Sequence, residues 1–236
     1  MHLPDGFLPA PLCIGGYGLT GLATWYSLRH IHRRSNPTED IPKASLLTAA
    51  FFVASSIYIP IPPTSVHLVL NGLLGTVLGW YAFPAILIGL FFQAVMFGHG
   101  GLTTLGANAV MMGLPALLAG GVFRGYPYLQ RWLKPRVAIA LSAFMAGAVG
   151  LGLALIIFIG LTIVFIPQGF DAATERTAIY ALVIAHGPLL ILEGVFTAAL
   201  VLFLQRVKPE MMRHAASRQA SPPTPIHTHH QPPRDL

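Results

Sequence analysis

The first two residues, Met1 and His2, carry three nitrogen atoms that a single metal ion can bind at once. These are the α-amine of Met1, the backbone amide nitrogen of His2 and the imidazole of His2. Binding them closes a five-membered and then a six-membered chelate ring with three coplanar nitrogens. One further imidazole would complete a square plane, which suits Ni(II) or Cu(II) and is accepted by low-spin Co(II). Zinc prefers a tetrahedron and magnesium prefers oxygen ligands, so both are disfavoured.

This chelate requires a free amino terminus. The chain opens with a polar, turn-prone stretch that lacks Lys and Arg, whereas a cleavable signal peptide opens with basic residues. Pro4 cannot donate an amide hydrogen and stiffens the turn beyond the chelate. We therefore expect Met1 to remain the terminus. An N-terminal Met-His pair is weak evidence by itself, and its weight depends on the elements that surround it.

The composition predicts that these elements are membrane helices. Of 236 residues, 54% are hydrophobic and only 9% are charged, against about 25% charged residues in a typical soluble domain. Seven apolar segments are long enough to be membrane helices, at 12–28, 43–58, 67–81, 83–98, 104–123, 137–166 and 177–204. The predicted fold class is all-α, a polytopic bundle of about seven transmembrane helices in the cell (cytoplasmic or inner) membrane.

The third and fourth segments are short for a membrane span. A helix rises about 1.5 Å per residue, so segment 67–81 reaches only about 22 Å of a hydrocarbon core that is about 30 Å thick. The two segments are either shortened, broken helices or a re-entrant pair. Both alternatives leave the orientation of the other helices unchanged.

The charge pattern predicts the orientation. Basic clusters follow the first, fifth and seventh segments, whereas the connections 59–66, 98–103 and 167–176 carry one Arg between them. Because Lys and Arg are retained in cytoplasmic loops, the amino terminus should lie outside and the carboxyl terminus inside. The same clusters account for the net charge of +6 without a nucleic-acid partner.

This topology brings four histidines to or near one outer face: His2, His67, His99 and His186. The intramembrane Glu193 follows His186 by seven residues, on the same helical face and deeper, which makes the two a polar pair. A carboxyl group at that depth must face the bundle and find a partner. Two roles stay open for Glu193, a hydrogen bond that locks helices together and a place on an ion path.

Three regions follow from this pattern. Residues 1–11 form an extracytoplasmic metal-chelating segment, 12–206 the transmembrane bundle and 207–236 a His- and Pro-rich cytoplasmic tail. The tail cannot bury an apolar core and is expected to be disordered. Its histidines, His227, His229 and His230, allow metal sequestration, although an incidental role is the simpler interpretation.

Four motifs, in this order, resemble the CbiM/NikM family, the substrate-specific membrane subunits of energy-coupling factor importers for cobalt and nickel. They are MHLPDGFL at the start, PPTSVHLVLNGLLG from Pro62, FGHGGLTTLGAN from Phe97 and AHGPLLILEG from Ala185. The resemblance runs from Met1 to about Arg206 and leaves out the tail.

The resemblance implies a site, a cargo and partners. The metal ligands would be Met1, His2 and His67, and the transported ion Ni(II) or Co(II). Partners would be a transmembrane scaffold subunit and ATPase subunits, with room for a small accessory membrane subunit. Residues in family motifs near the site are candidates for orienting ligands or organising loops, namely Asn71, His99, Thr103, Thr104 and Asn108.

Other classes of protein were weighed against this one. The sequence has no G-x-x-x-x-G-K-[ST] motif, so we expect no ATP hydrolysis by this chain, and no H-E-x-x-H or G-x-S-x-G motif of a hydrolase. A secondary transporter usually shows internal repeats and several intramembrane charges, whereas Glu193 stands nearly alone. A membrane metal sensor or storage protein that uses the His-rich tail is the remaining alternative.

Overall fold

A computed structural model of the chain describes residues 2–61, 64–165, 172–209 and 211–212. Most of these residues are helical, in the order α1 (Ala10–His32), α2 (Ile41–Ser56), α3 (Asn71–Leu78), α4 (Ala82–Phe97), α5 (Leu105–Phe123), α6 (Tyr126–Leu129), α7 (Pro135–Val164) and α8 (Ala172–Val207). Two short strands, β1 (Tyr58–Ile61) and β2 (Thr64–His67), lie between α2 and α3.

The long apolar helices confirm the predicted membrane helix bundle. Four described segments are long and apolar enough to cross a bilayer, namely Asn71–Phe97, Leu105–Leu129, Pro135–Val164 and Tyr180–Val207, and α2 is a shorter apolar helix. The count of seven crossings and the orientation of the termini stay predictions. The tail predicted for 207–236 lies outside the described residues except for 207–209 and 211–212.

The third and fourth predicted segments form a helical hairpin with a break. Helix α3 has only 8 residues and ends at Gly79, whose φ of 57° interrupts the helix before a 3₁₀ turn at Gly79–Tyr81. Asn71 at its start hydrogen-bonds the carbonyl of Met112, in the middle of α5. Trp80 in the turn stacks on His30, near the end of α1. Helix α3 therefore begins inside the bundle, and α4 returns past it.

The connection at 59–66 was predicted as a loop leading into a helix at His67, and that prediction is wrong. The structure pairs β1 with β2 in an antiparallel hairpin in which Tyr58 lies opposite His67. The β-branched residues of this stretch favour strands, and a two-stranded edge tolerates Pro60, which lacks an amide hydrogen. His67 is therefore the last residue of β2, and α3 begins only at Asn71.

Close backbone contacts hold the helices together. A side chain at Gly75 of α3 would place its Cβ 1.7 Å from the carbonyl oxygen of Ala116 in α5. One at Gly72 would lie 2.7 Å from the Cα of Gly147 in α7. Lipid tails supply no hydrophobic drive between helices, so membrane bundles depend on such close contacts. The small residues of the sixth predicted segment therefore act in packing.

Helices α1 and α5 run parallel, so their first residues lie at one end of the bundle and their last residues at the other. At one end Thr20 of α1 donates a hydrogen bond to the carbonyl of Gly106, at 2.8 Å. At the other end lie Arg124 and the ion pairs that Asp40 makes with Arg34 and Lys43, both at 2.8 Å. The end at Gly106 adjoins the amino-terminal segment. His2 and His67 thus lie at the opposite end of the bundle from these basic residues.

Substitution Gly75→Ala should destabilise the bundle, because its Cβ would overlap the carbonyl of Ala116. Overpacking of this kind lowers the free energy of unfolding by about 1–3 kcal/mol. Thermal unfolding of the purified protein in detergent measures the effect. Gly18→Ala on α1 is the matched control, since nothing lies within 4 Å of its Cβ. Equal unfolding temperatures for the two variants would contradict the packing described here.

Candidate metal centre

The amino-terminal segment is held in the bundle by its backbone at Leu3. The amide of Leu3 donates to Oδ1 of Asn108 at 2.9 Å, and Nδ2 of Asn108 donates to the carbonyl of Leu3 at 3.0 Å. The hydroxyl of Thr104 donates to the same carbonyl at 2.6 Å. The Leu3 side chain is only 1% exposed and packs with Leu8. The side-chain amide of Asn108 thus pairs with both the N–H and the carbonyl oxygen of Leu3.

A second attachment forms at the surface through Asp5. Its Oδ1 accepts hydrogen bonds from the amide and the hydroxyl of Thr103, at 2.8 and 2.5 Å. These bonds lower the pKa of the Asp5 carboxyl. Any side chain at Gly101 would lie 2.0 Å from Oδ1 of Asp5, so the close approach requires glycine there. The glycine-rich stretch after α4 therefore wraps around the amino-terminal segment.

Three imidazole rings stack at this end of the bundle. The ring centroid of His2 lies 5.4 Å from that of His67 and 6.2 Å from that of His99, with interplanar angles of 25° and 20°. His2 therefore stands between the hairpin that carries His67 and the segment after α4. Two of the three predicted metal ligands are adjacent. The third, Met1, lies outside the described residues.

The hydrogen bonds of the two rings indicate which nitrogen of each carries the proton. Nε2–H of His2 donates to Oε1 of Gln93 at 2.9 Å, so Nδ1 of His2 is the free nitrogen. Nδ1–H of His67 donates to the carbonyl of Leu68 at 3.2 Å, so Nε2 is the unprotonated nitrogen of that ring. A hydrogen bond on one ring nitrogen commonly fixes the tautomer of a metal-binding histidine.

Burial keeps both rings neutral. It lowers the pKa of His67 to about 3, and it lowers the pKa of His2 well below its usual range. Neutral imidazole is the form that binds a metal ion. Both rings can therefore act as ligands at pH 7 without first losing a proton.

Glu193 fixes the segment that follows His67. Its carboxylate on α8 is fully buried and accepts hydrogen bonds from the amides of Val69 and Leu70, at 2.5 and 3.0 Å. Leu70 has a φ of 55°, a left-handed conformation that is uncommon for a residue with a side chain. These bonds support the first of the two roles left open for Glu193, a hydrogen bond that locks elements of the bundle together. The carboxylate also lies at the start of α3, where a helix favours negative charge.

The remaining predicted residues have different surroundings. Asn71 donates to the carbonyls of Met112 and Gly150, so it joins α3 to α5 and α7. His186 donates from Nδ1 to the carbonyl of Leu182 on its own helix, at 2.8 Å. Glu193 and His186, predicted as a polar pair, therefore each have another partner. Among the described residues, no three His, Cys, Asp or Glu side chains form a metal-binding group.

Two residues of this region were not identified from the sequence. Gln93 lies fully buried in α4 and contacts His2, and Asp5 anchors the amino-terminal segment. A signal existed for Gln93, because it is the one polar side chain in the apolar run FFQAVMF. A polar group inside an apolar membrane helix requires a partner, and that partner is a functional candidate.

Comparisons with known proteins give the class of the protein. The profile of the CbiM family, described as "Cobalt uptake substrate-specific transmembrane region", matches residues 2–211. A putative metal transport protein of Haemophilus influenzae is 34% identical over 90% of this chain and 97% of its own length. The fused nickel transport protein NikMN of Rhodobacter capsulatus is 32% identical over 90% of this chain and 64% of its own length.

Solved structures agree in fold. A crystal structure described as a transition metal transporter has a TM-score of 0.72 and 27% identity over 91% of this chain and 98% of its own. The protein is therefore a multi-pass membrane protein of the metal-transport class. It belongs to the CbiM family, whose members are named for cobalt and nickel transport.

Substitution Asn108→Leu should release the amino-terminal segment, because it removes both hydrogen bonds to Leu3. A typical intramolecular hydrogen bond contributes about 0.5–1.5 kcal/mol, and leaving the buried Leu3 amide unpaired costs more. Hydrogen exchange of the peptide that contains residues 2–8 should become at least about tenfold faster. The matched control is Thr48→Val on α2, whose hydroxyl bonds only its own helix. Unchanged exchange in Asn108→Leu would show that the segment is held by other contacts.

The attachment at Asp5 should depend on pH. Because the folded-state pKa of Asp5 is lowered, its stabilising effect is present above the unfolded-state pKa and is lost as the pH falls through the folded-state pKa. Thermal unfolding should therefore show wild type more stable than Asp5→Asn at pH 6. The difference should shrink once the pH drops below the usual range of an aspartate. A difference that persists unchanged at pH 3 would assign the effect to something other than this carboxylate.

Proposed function

We propose that this chain is the substrate-binding membrane subunit of an ATP-driven energy-coupling factor importer for Ni(II) or Co(II). It captures the ion at the outer face in a square-planar site of four nitrogens. The ligands are the amine of Met1, the amide nitrogen and Nδ1 of His2, and Nε2 of His67. The cargo is the ion itself, and ATP hydrolysis belongs to partner subunits.

The observation that carries the proposal is the adjacency of the imidazole rings of His2 and His67. Two imidazoles in neighbouring positions of one ion, at metal–nitrogen distances of about 2 Å, have ring centroids roughly 4–5 Å apart. The rings of His2 and His67 lie 5.4 Å apart, so a shift of about 1 Å is sufficient. The six-membered chelate ring closes through Nδ1 of His2, and Nδ1 is its free nitrogen.

The donor set explains the selectivity of the proposed site. Four nitrogens in a plane favour Ni(II), and low-spin Co(II) accepts the same arrangement. Ions that prefer oxygen or a tetrahedron are disfavoured. A membrane protein that holds its cargo through a deprotonated amide must release a proton on binding, so affinity should rise with pH.

The orientation is part of the proposal. Arg124, Arg34 and Lys43 lie at the end of the bundle opposite the histidines. Retention of basic residues on the cytoplasmic side would leave the histidines on the outer side of the cell membrane. The scaffold subunit and the ATPase subunits would then act from the basic side, with a small accessory membrane subunit as an optional member.

Removal of either imidazole should abolish tight binding of Ni(II). In a titration of purified protein, His2→Ala and His67→Ala should each weaken binding by at least about 100-fold. One extra residue ahead of Met1 should do the same, because it converts the amine into an amide. Absorption spectroscopy should show the bands of low-spin square-planar Ni(II) in wild type and in none of these three variants. His32→Ala, an exposed histidine near the far end of α1, is the matched control.

Tight Ni(II) binding by the variant with one extra residue ahead of Met1 would contradict the proposed metal site. Uptake into proteoliposomes tests the transport mechanism separately. Metal accumulation without ATPase subunits would favour a secondary transporter. Loss of uptake after deletion of residues 214–236 would favour the sensor or storage alternative.

A further inference from the structure

A buried amide bridges the proposed ligand His2 and helix α2. Gln93 is fully buried in α4, where a primary amide is costly unless its polar atoms are paired. Its Oε1 accepts Nε2–H of His2 at 2.9 Å, and its Nε2 donates to the hydroxyl oxygen of Ser55 in α2. Both polar atoms of the Gln93 side-chain amide are therefore hydrogen-bonded, each to a residue outside α4.

The hydroxyl of Ser55 determines which group donates and which accepts in each of these hydrogen bonds. Its hydrogen points to the carbonyl of Phe51, one turn earlier in α2, at 2.5 Å. With that hydrogen committed, the oxygen of Ser55 can only accept from Gln93. The amide nitrogen of Gln93 must then face Ser55, and its carbonyl must face His2. A carbonyl cannot donate, so the proton of the His2 ring is held on Nε2.

We propose that Gln93, oriented by Ser55, is a positioning residue that sets the tautomer of His2 and thereby presents Nδ1 to the metal ion. This inference rests on the proposed function and deepens its account of the site. Nδ1 is the nitrogen that closes a six-membered ring with the amide of the same residue, whereas Nε2 would require a larger ring. A ring with its proton on Nδ1 would have to change tautomer before it could chelate.

The same contact connects the two proposed imidazole ligands. Ser55 lies in the last turn of α2, directly before the hairpin whose final residue is His67. A shift at the end of α2 would therefore move the hairpin and the orientation of Gln93 together. The last turn of α2 is thus connected to both His2 and His67, although 65 positions separate the two histidines in the sequence.

The test uses the full-length protein with ¹⁵N-labelled histidine and no metal. Nitrogen chemical shifts distinguish a ring protonated on Nε2 from one protonated on Nδ1, and the His2→Ala spectrum assigns the signal. We expect Nε2–H in wild type and loss of this preference in Gln93→Met, which keeps the volume but accepts no comparable hydrogen bond. Ser55→Ala should give a mixture, and Ser56→Ala, which removes a hydroxyl bonded only to its own helix, should resemble wild type.

The metal titration completes the test. Ni(II) affinity should fall about 10–100-fold in Gln93→Met, as is usual for residues that orient a ligand, with the unfolding temperature nearly unchanged. A wild-type ring protonated on Nδ1 would overturn the inference, and so would wild-type tautomer and affinity in Gln93→Met. If Gln93→Met does not fold, the nitrogen spectra of wild type and of Ser55→Ala decide whether Gln93 sets the tautomer of His2. Failure of wild type to bind Ni(II) would sink the proposed function while leaving the tautomer assignment intact.

Discussion

The pairing of Asn108 with the backbone of Leu3 is the constraint on which the rest of the site depends. An amino terminus is ordinarily the least ordered part of a chain, and a chelate built from it would have to be organised by the ion alone. Here one side-chain amide occupies both polar atoms of Leu3, while Thr104 adds a second bond to its carbonyl. Residue two is thereby fixed before any ion arrives, which lowers the entropic cost of binding.

Glu193 performs the corresponding task for His67. A buried carboxylate is unfavourable unless it is compensated, and among the described residues the amide hydrogens of Val69 and Leu70 compensate it. By accepting from Val69 and Leu70, it holds the chain in the turn between β2 and α3. The left-handed Leu70 lies in this turn, directly before the first residue of α3. Each proposed imidazole ligand is thus positioned by a fully buried polar side chain from another helix.

The class of the fold could be predicted from the sequence because a bilayer requires long apolar segments and favours basic residues in cytoplasmic loops. Residue types and motifs also singled out His2 and His67, and the structure places their ring centroids 5.4 Å apart. The hairpin at Tyr58–His67 could not be predicted, because proline-rich segments of a few residues have no usable periodicity. The bonds from Gln93 and Asn108 were also out of reach. They join residues 91 and 105 positions apart, and only tertiary packing brings such residues together.

Rigidity at one end of the bundle has a consequence for transport. In the proposed importer, an ion held near His2 and His67 would leave only if the contacts of three buried polar side chains, Gln93, Asn108 and Glu193, rearranged. Every polar atom that holds His2 would need a new partner, at about 1–3 kcal/mol for each buried group left unpaired. In the importer we propose, partner subunits would supply the energy for that rearrangement. Uptake into proteoliposomes with and without those subunits separates this mechanism from secondary transport.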